Sequence, residues 1–222
     1  KENWETTDRW SKMDVLYKVK TQTGQEIALG PTHEEIVTPL VGKFIQSYKD
    51  LPIAVYQIQT KFRDELRAKS GVMRGREFGM KDLYSFHASS EDLEKFYPQV
   101  IQAYQNIFTR CGLNTVITEA SGGSFTKKYS HEFHVLTEAG EDIIFVCETS
   151  GHMARNKEIT ENGVPNCSTC NKPMKQEKGI EAGNIFDLGT RFTEPFNVHF
   201  QDKDGQDQKV IMGCFGLGTT RL

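Results

Sequence analysis

The chain has 222 residues, 37% of them hydrophobic and 26% charged, with a formal net charge of −3. That length can bury one large or two small cores, and the composition reads as soluble and globular. No apolar run approaches a membrane span, the first residues do not form a secretory signal, and so small a net charge selects no partner class. The cysteines, Cys111, Cys147, Cys167, Cys170 and Cys214, are too few and too unevenly spread for a disulfide framework, which points to a reducing compartment. The chain is expected to begin inside a domain and to stop where a helix starts.

Residues 14–29 alternate apolar and polar around a Thr23-Gly24 turn and predict a β-hairpin. Thr32 has capping-box spacing to Glu35. Ile36, Leu40, Phe44, Ile45 and Tyr48 then recur at helical spacing until Pro52, with Pro39 predicting a late start or a kink. Residues 53–63 predict a strand and 74–86 its antiparallel partner, joined by a polar loop with Lys69, Ser70 and Gly71 at its tip. A second helix starts at Ser89 or Ser90, carries a wide apolar stripe from Leu93 to Phe108 and stops at Gly112. Short strands follow near 115–118, 132–136 and 142–147. Residues 148–178 are polar and aperiodic and read as a small insert. Two further strands, 184–192 and 209–214, lead into a glycine-rich turn. This order predicts an α+β fold, a mixed and mainly antiparallel sheet flanked by helices, rather than a doubly wound parallel sheet.

Within residues 61–81 the bases Lys61, Arg63, Arg67, Lys69, Arg74, Arg76 and Lys81 outnumber the acids Asp64, Glu65 and Glu77. As strand positions, Arg63 and Glu65 share a face, and so do Arg74, Arg76 and Phe78. Guanidinium groups, a carboxylate and an aromatic ring on a hairpin suit a nucleotide, while an exposed strand with cross-strand ion pairs is the plainer alternative. The closing GCFGLGTTR, Gly213–Arg221, lacks the GK[ST] of a phosphate loop and has Arg221 where a dinucleotide fingerprint needs glycine. His131 and His134 fall on opposite faces of a strand, which argues against a shared metal. Cys167-x-x-Cys170 with Cys147 upstream supplies three soft ligands for a structural zinc; the fourth is open between His152 and a degenerate site, and a metal-free loop of free thiols is the alternative.

Taken together, FRDE, a loop and RxxxF within 62–78, and GxGxxR within 213–221, resemble motifs 2 and 3 of the class II aminoacyl-tRNA synthetases. The phrases GPTHEE, LPIAVYQIQTKFRDE, VMRGREFGMKDLYSFH, SHEF, GIEAGNIFDLGTRF and MGCFGLGTTR are similar to the catalytic domain of bacterial-type prolyl-tRNA synthetases, over nearly the whole chain. The resemblance implies that Arg63 contacts the α-phosphate and the substrate carboxylate, Glu65 the adenine amine, and Phe78 the adenine face. Arg74 and Arg221 would hold the outer phosphates of a bent ATP, with Arg63 and Arg221 as the catalytic pair, and Glu181 would face the nucleotide and its Mg²⁺. Thr32 and Glu34 match the TxE motif of the family, one hydroxyl and one carboxylate for the two N–H donors of a prolyl ammonium. Arg63, Met80, Phe86, Glu132 and Cys214 would complete the proline site. Read alone, Thr32 is a helix cap and Met80 and Phe86 are core.

The same resemblance implies L-proline, ATP and tRNA(Pro) as partners, a homodimer in the full-length protein and no membrane. Motif 1 and an anticodon-binding domain are expected to be absent from this chain, and 148–178 to stand where an editing domain would be, between core segments 1–147 and 179–222. Compact relatives tend to carry a CxxC at the upstream knuckle, where this chain has Ser150. The short cysteine-bearing insert is most like animal mitochondrial forms, which implies the mitochondrial matrix. Two other readings stand: a synthetase for another amino acid, which should lack the Thr32/Glu34 pair, and a non-catalytic synthetase-like binding protein, which should have lost an arginine of the set. The loop tip 69–71 would reach the tRNA acceptor end.

Overall fold

The computed structural model describes residues 1–69, 71–149, 151–160 and 163–222. Ser70 of the loop tip, Ser150 of the upstream knuckle and Glu161 of the insert lie outside the described residues. The chain divides into two compact units, Lys1–Glu94 with Leu188–Cys214 and Gly218–Leu222, and Lys95–Asp187 with Phe215–Leu217.

The first unit opens with two short helices, α1 (Glu2–Thr6) and α2 (Arg9–Lys12). Strands β1 (Lys18–Lys20) and β2 (Glu26–Ala28) then form the predicted hairpin, turning at Gly24, whose φ of 85° suits glycine. Helix α3 (Glu34–Gly42) is shorter than its periodicity predicts, and its N-cap is His33 rather than Thr32. Its inward face is also the opposite of the expected one. Glu34, Glu35, Thr38 and Val41 are buried, whereas Ile36, Leu40 and Phe44 are exposed. The cause lies upstream: Arg9 of α2 is buried against this helix, 2.9 Å from Glu35 and 3.3 Å from Glu34. A buried charge without a partner costs about 3–5 kcal/mol, more than an exposed leucine forfeits, so the ion pairs set the rotation of the helix.

Strands β3 (Ile53–Phe62) and β4 (Glu77–His87) pair antiparallel from Ile53↔Phe86 to Phe62↔Glu77. Their pairing is as predicted, but the ladder stops short of Arg63, Arg74 and Arg76. Helix α4 (Ser90–Arg110) follows, started by the Asp92 N–H donating to Ser89 Oγ at 3.2 Å. Gly112, at φ 76°, ends it, and the Leu113 N–H returns to the Phe108 carbonyl at 2.9 Å.

The second unit contains β5 (Thr115–Ser121), β6 (Tyr129–Leu136), β7 (Asp142–Val146), β8 (Ala154–Asn156) and β9 (Lys175–Gly189), ordered β9-β6-β5-β8-β7. β5 and β8 run parallel, while β5–β6, β6–β9 and β7–β8 are antiparallel. The first residues of β9 also pair with β7, so the five strands return on themselves. β9 begins at Lys175, not at 184, because β7 pairs with its residues 175–179 and β6 takes over from Gly179, holding a polar, glycine-bearing segment that has no apolar pattern of its own. Tyr104 and Phe108 of α4 pack on Phe133 of β6 at centroid distances of 5.2 and 5.5 Å. Ile144, Ile185 and Phe215 are fully buried around them.

Back in the first unit, β10 (His199–Gln201) and β11 (Asp207–Lys209) make a hairpin that no sequence pattern announced. Strand β12 (Ile211–Leu217) lies beside β4. Phe86, Phe192, Val210 and Met212 are fully buried in this unit. The chain then makes a single 3-10 turn, Thr219–Arg221, where a helix was expected. Gly79 of β4 meets that turn so closely that a Cβ would lie 2.6 Å from Thr219 Oγ1.

Candidate nucleotide and amino-acid sites

The mouth of the β3–β4 hairpin gathers the predicted nucleotide residues of the first unit. Beyond the ladder, the Arg63 N–H donates to the Arg76 carbonyl at 2.9 Å and the Asp64 N–H to the Val15 carbonyl at 2.8 Å. Strand alternation therefore does not orient Arg63, Glu65, Arg74 and Arg76; loop hydrogen bonds do. The Arg63 guanidinium sits 5.1 Å from the centre of the Phe78 ring, and its Nε donates to the Pro31 carbonyl at 3.4 Å. Arg74 reaches Glu65 Oε2 through Nε at 3.2 Å and Nη2 at 3.0 Å, and Arg76 Nε donates to the Glu65 carbonyl at 2.9 Å. Arg221 Nε donates to the Met73 carbonyl at 2.9 Å, which ties the C-terminal turn to the same loop. Arg74 is exposed, and an exposed pair of this kind contributes about 0–1 kcal/mol, so it is cheap to redirect onto an incoming anion.

Next to this mouth, the segment 32–34 carries a different chemistry. The Thr32 hydroxyl is buried and has no hydrogen-bond partner among the described residues, since His33 has taken the capping position. Such a group costs about 1–3 kcal/mol and calls for an explanation, which a ligand N–H would supply. Glu34 is fully buried and accepts from the Cys214 thiol at 3.1 Å and from Arg9 Nη1 at 3.3 Å. Burial, reinforced by Glu34, pushes the Cys214 thiol well up, which keeps it a donor. Burial likewise raises the Glu35 carboxyl to about 7, with Arg9 pulling the other way. Met80 and Phe86 share a face of β4 with Phe78; Met80 is half-buried, and Phe86 has no exposed surface.

Sequence reasoning missed the groups that hold this segment in place. Arg9 is one. The other is a buried chain in which Lys61 Nζ donates to His33 Nδ1 at 2.7 Å and stands 2.6 Å from Asp82 Oδ1, a charge contact rather than a well-directed hydrogen bond. Gln57 Nε2 and the Tyr84 hydroxyl both donate to Asp82 Oδ2 at 2.7 Å, and the His33 N–H donates to Tyr84 at 3.1 Å. Burial and the neighbouring Lys61 lower the His33 pKa, so the ring stays neutral between Thr32 and Glu34. The strand register sets Gln57 opposite Asp82, but Lys61 lies opposite Phe78, four residues along, so no pairing pattern in the sequence announces its contact with Asp82.

In the second unit, Glu132 of β6 accepts from Asn156 Nδ2 at 3.1 Å and Asn184 Nδ2 at 3.2 Å. Burial, and then the negative charge of Glu181, raise its carboxyl from 4.5 to about 8. Glu132 thus takes up a proton on folding between these two values, and stability falls as pH rises through that window. Glu132→Gln is expected to be more stable than the parent by about 1–3 kcal/mol at pH 8.5 and equal to it near pH 5. Thermal melts at the two pH values check this; equal slopes in both proteins would assign the effect to another group. His131 accepts or donates with the Tyr97 hydroxyl at 2.8 Å, while His134 meets Thr118 at 3.1 Å and Asp142 at 3.3 Å. The two rings thus serve separate partners, as their odd spacing predicts.

The insert brings together Cys147, Cys167 and Cys170 with His152, all four donor atoms lying within 4.8 Å of one another. These side chains can hold a metal ion. Backbone N–H groups of Cys170 and Thr169 lower the Cys167 thiol to about 6.

Comparison with known proteins places these features in context. Residues 17–222 match the model of the tRNA synthetase class II core domain (G, H, P, S and T). A Rattus norvegicus protein named "Probable proline--tRNA ligase, mitochondrial" is 44% identical over 223 aligned residues, covering 100% of this chain and 47% of the relative. A "Proline--tRNA ligase" of Anaplasma marginale (strain St. Maries) is 40% identical over 220, covering 93% of this chain and 52% of the relative. This chain therefore spans about half the length of the curated relatives it matches. In fold, it superposes on a Giardia lamblia prolyl-tRNA synthetase solved in complex with prolyl-adenylate, with a TM-score of 0.75 at 19% identity, over 100% of this chain and 39% of that one.

Proposed function

We propose, for a chain that belongs to the tRNA synthetase class II core domain family (G, H, P, S and T), that the intact protein activates L-proline with ATP and charges tRNA(Pro). The proline carboxylate attacks the α-phosphorus in line, pyrophosphate leaves, and a hydroxyl of the terminal adenosine of the tRNA takes the prolyl group. No covalent enzyme intermediate is needed. Rate comes from positioning and from charge stabilisation at phosphorus. Arg63 holds the α-phosphate and the carboxylate, Arg74 and Arg221 the outer phosphates, Phe78 the adenine ring and Glu65 its amine.

Proline itself is taken by Thr32 and Glu34, with Met80, Phe86, Glu132 and Cys214 around the ring. Mg²⁺ enters with ATP and neutralises phosphate charge when bound. Glu181 would be its ligand, supplying the hard carboxylate oxygen that this ion takes. Residues 148–178 stand in place of an editing domain, and their two thiols, Cys167 and Cys170, hold a structural zinc together with Cys147 just before them. We place the protein in the mitochondrial matrix as a homodimer. Similarity to mitochondrial ligases of rat, mouse and human supports the compartment.

The observation that carries the choice of proline is the buried Thr32 hydroxyl left without a partner two residues before the buried Glu34. Amino-acid-dependent ATP–pyrophosphate exchange by the full-length protein tests it. Among glycine, histidine, proline, serine and threonine, only proline should support exchange. Thr32→Val should lower kcat/KM for proline about 10- to 100-fold through the lost hydrogen bond, with a melting temperature no lower than that of the parent, since the hydroxyl it removes is unpartnered. Exchange driven by another of the five, or an undiminished Thr32→Val, would remove the assignment.

A further inference from the structure

The two knuckles of the insert are built alike. Cys147 follows directly on β7, and the Thr149 N–H donates to its sulfur at 3.4 Å. In the second, the N–H groups of Thr169 and Cys170 turn toward the Cys167 sulfur, and Asn171, at φ 55°, lets the Cys167 N–H reach the Lys172 carbonyl at 2.8 Å. N–H donors aimed at sulfur are what a thiolate ligand requires around it. Between the knuckles stands His152, its Nδ1 3.3 Å from both Cys147 Sγ and Cys167 Sγ, while Cys147 and Cys170 are 3.6 Å apart. A disulfide is excluded, since an S–S bond is about 2.05 Å long. Tetrahedral zinc with sulfur at ~2.3 Å and nitrogen at ~2.0 Å has S···S edges of about 3.8 Å and S···N edges of about 3.5 Å. The three separations are those edges within about 0.3 Å.

We propose that His152 is the fourth ligand of a Cys₃His zinc site with Cys147, Cys167 and Cys170, and that the ion is the clamp that seats β8; this rests on the reading of the three thiols as zinc ligands. β8 has only three residues, and its ladders supply two residue pairs to β5 and two to β7. His152 is fastened two residues before β8 starts, and Asn156 at its other end holds Glu132. The ion thus fixes the strand whose last side chain orients a carboxylate of the proposed proline site.

Metal content separates the parts of this proposal. The full-length protein, purified without added metal, should carry about one zinc per chain. Its Co²⁺ form should show the visible ligand-field bands of a tetrahedral site and the near-ultraviolet sulfur-to-cobalt bands of three thiolates. His152→Ala should weaken Co²⁺ binding by at least tenfold, and His152→Cys, which restores a soft ligand, should retain it. Chelation should speed hydrogen exchange at the backbone amides of 154–156. Absence of metal that titrated zinc does not correct overturns the three-thiol reading and the clamp together. Zinc bound equally well by His152→Ala, with an unaltered cobalt spectrum, overturns His152 and leaves the thiols. Unchanged exchange at 154–156 after the metal has left overturns the clamp.

Discussion

Lys61→Met is expected to destabilise the first unit by about 3–5 kcal/mol, the range found when one member of a buried ion pair is removed. Lys61 and Asp82 are both almost wholly out of water, and the ammonium lies 2.6 Å from the carboxylate. Burial lowers the Lys61 pKa, with Asp82 opposing, so desolvation outweighs attraction and the pair contributes little net stability. Removing the lysine alone leaves Asp82 with only Gln57 and Tyr84 as neutral donors and strands its charge. Asp82→Asn in the same chain should restore most of the loss, because the amide keeps an acceptor for Tyr84 without a charge to bury. Urea denaturation of the single and double mutants forms the cycle that measures this. Additive losses would mean that the two side chains are not energetically coupled.

Arg63→Ala should depress proline-dependent exchange by at least about 10³-fold, corresponding to ~4 kcal/mol for loss of a charged group acting in the transition state. Its guanidinium is preset by the Phe78 ring and the Pro31 carbonyl, so little ordering would remain to be done on binding the proposed ATP. Arg63→Lys should recover less than a tenth of the activity, since a point charge cannot make two parallel bonds to a phosphate. Both variants should unfold within about 1 kcal/mol of the parent, because the Arg63 side chain is itself only half-buried. Exchange that survives in Arg63→Ala would refute the role given to this residue.

What the sequence made legible was whatever is local. The hairpin at 53–86, the stop at Gly112 and the α+β class all follow from patterns spanning a few residues. The rotation of α3 did not, because it answers to Arg9, 25 residues before Glu34, and apolar periodicity is blind to a buried ion pair. Arg63, Glu65, Arg74 and Phe78 do meet at one mouth, but two-residue strand alternation does not group them, because the ladder ends at Phe62 and Glu77. The first residues of β9 carry no strand signal, since they are polar and owe their strand to β7, about thirty residues earlier in the chain. Thr32 read as a cap because its spacing to Glu35 is a capping pattern; only the placement of His33 at the cap released the hydroxyl for other work. His152 carried a signal, a histidine five residues after a cysteine, but in a loop such spacing is not fixed until the fold closes.

Gly79 gives the C-terminal turn its distance from β4. A methyl group there would press on Thr219 Oγ1, so the 3-10 turn that carries this threonine would have to draw back from β4. Arg221 would retreat with it. The gauge that spaces Arg221 from the hairpin is therefore an absent atom, the side chain that residue 79 does not have.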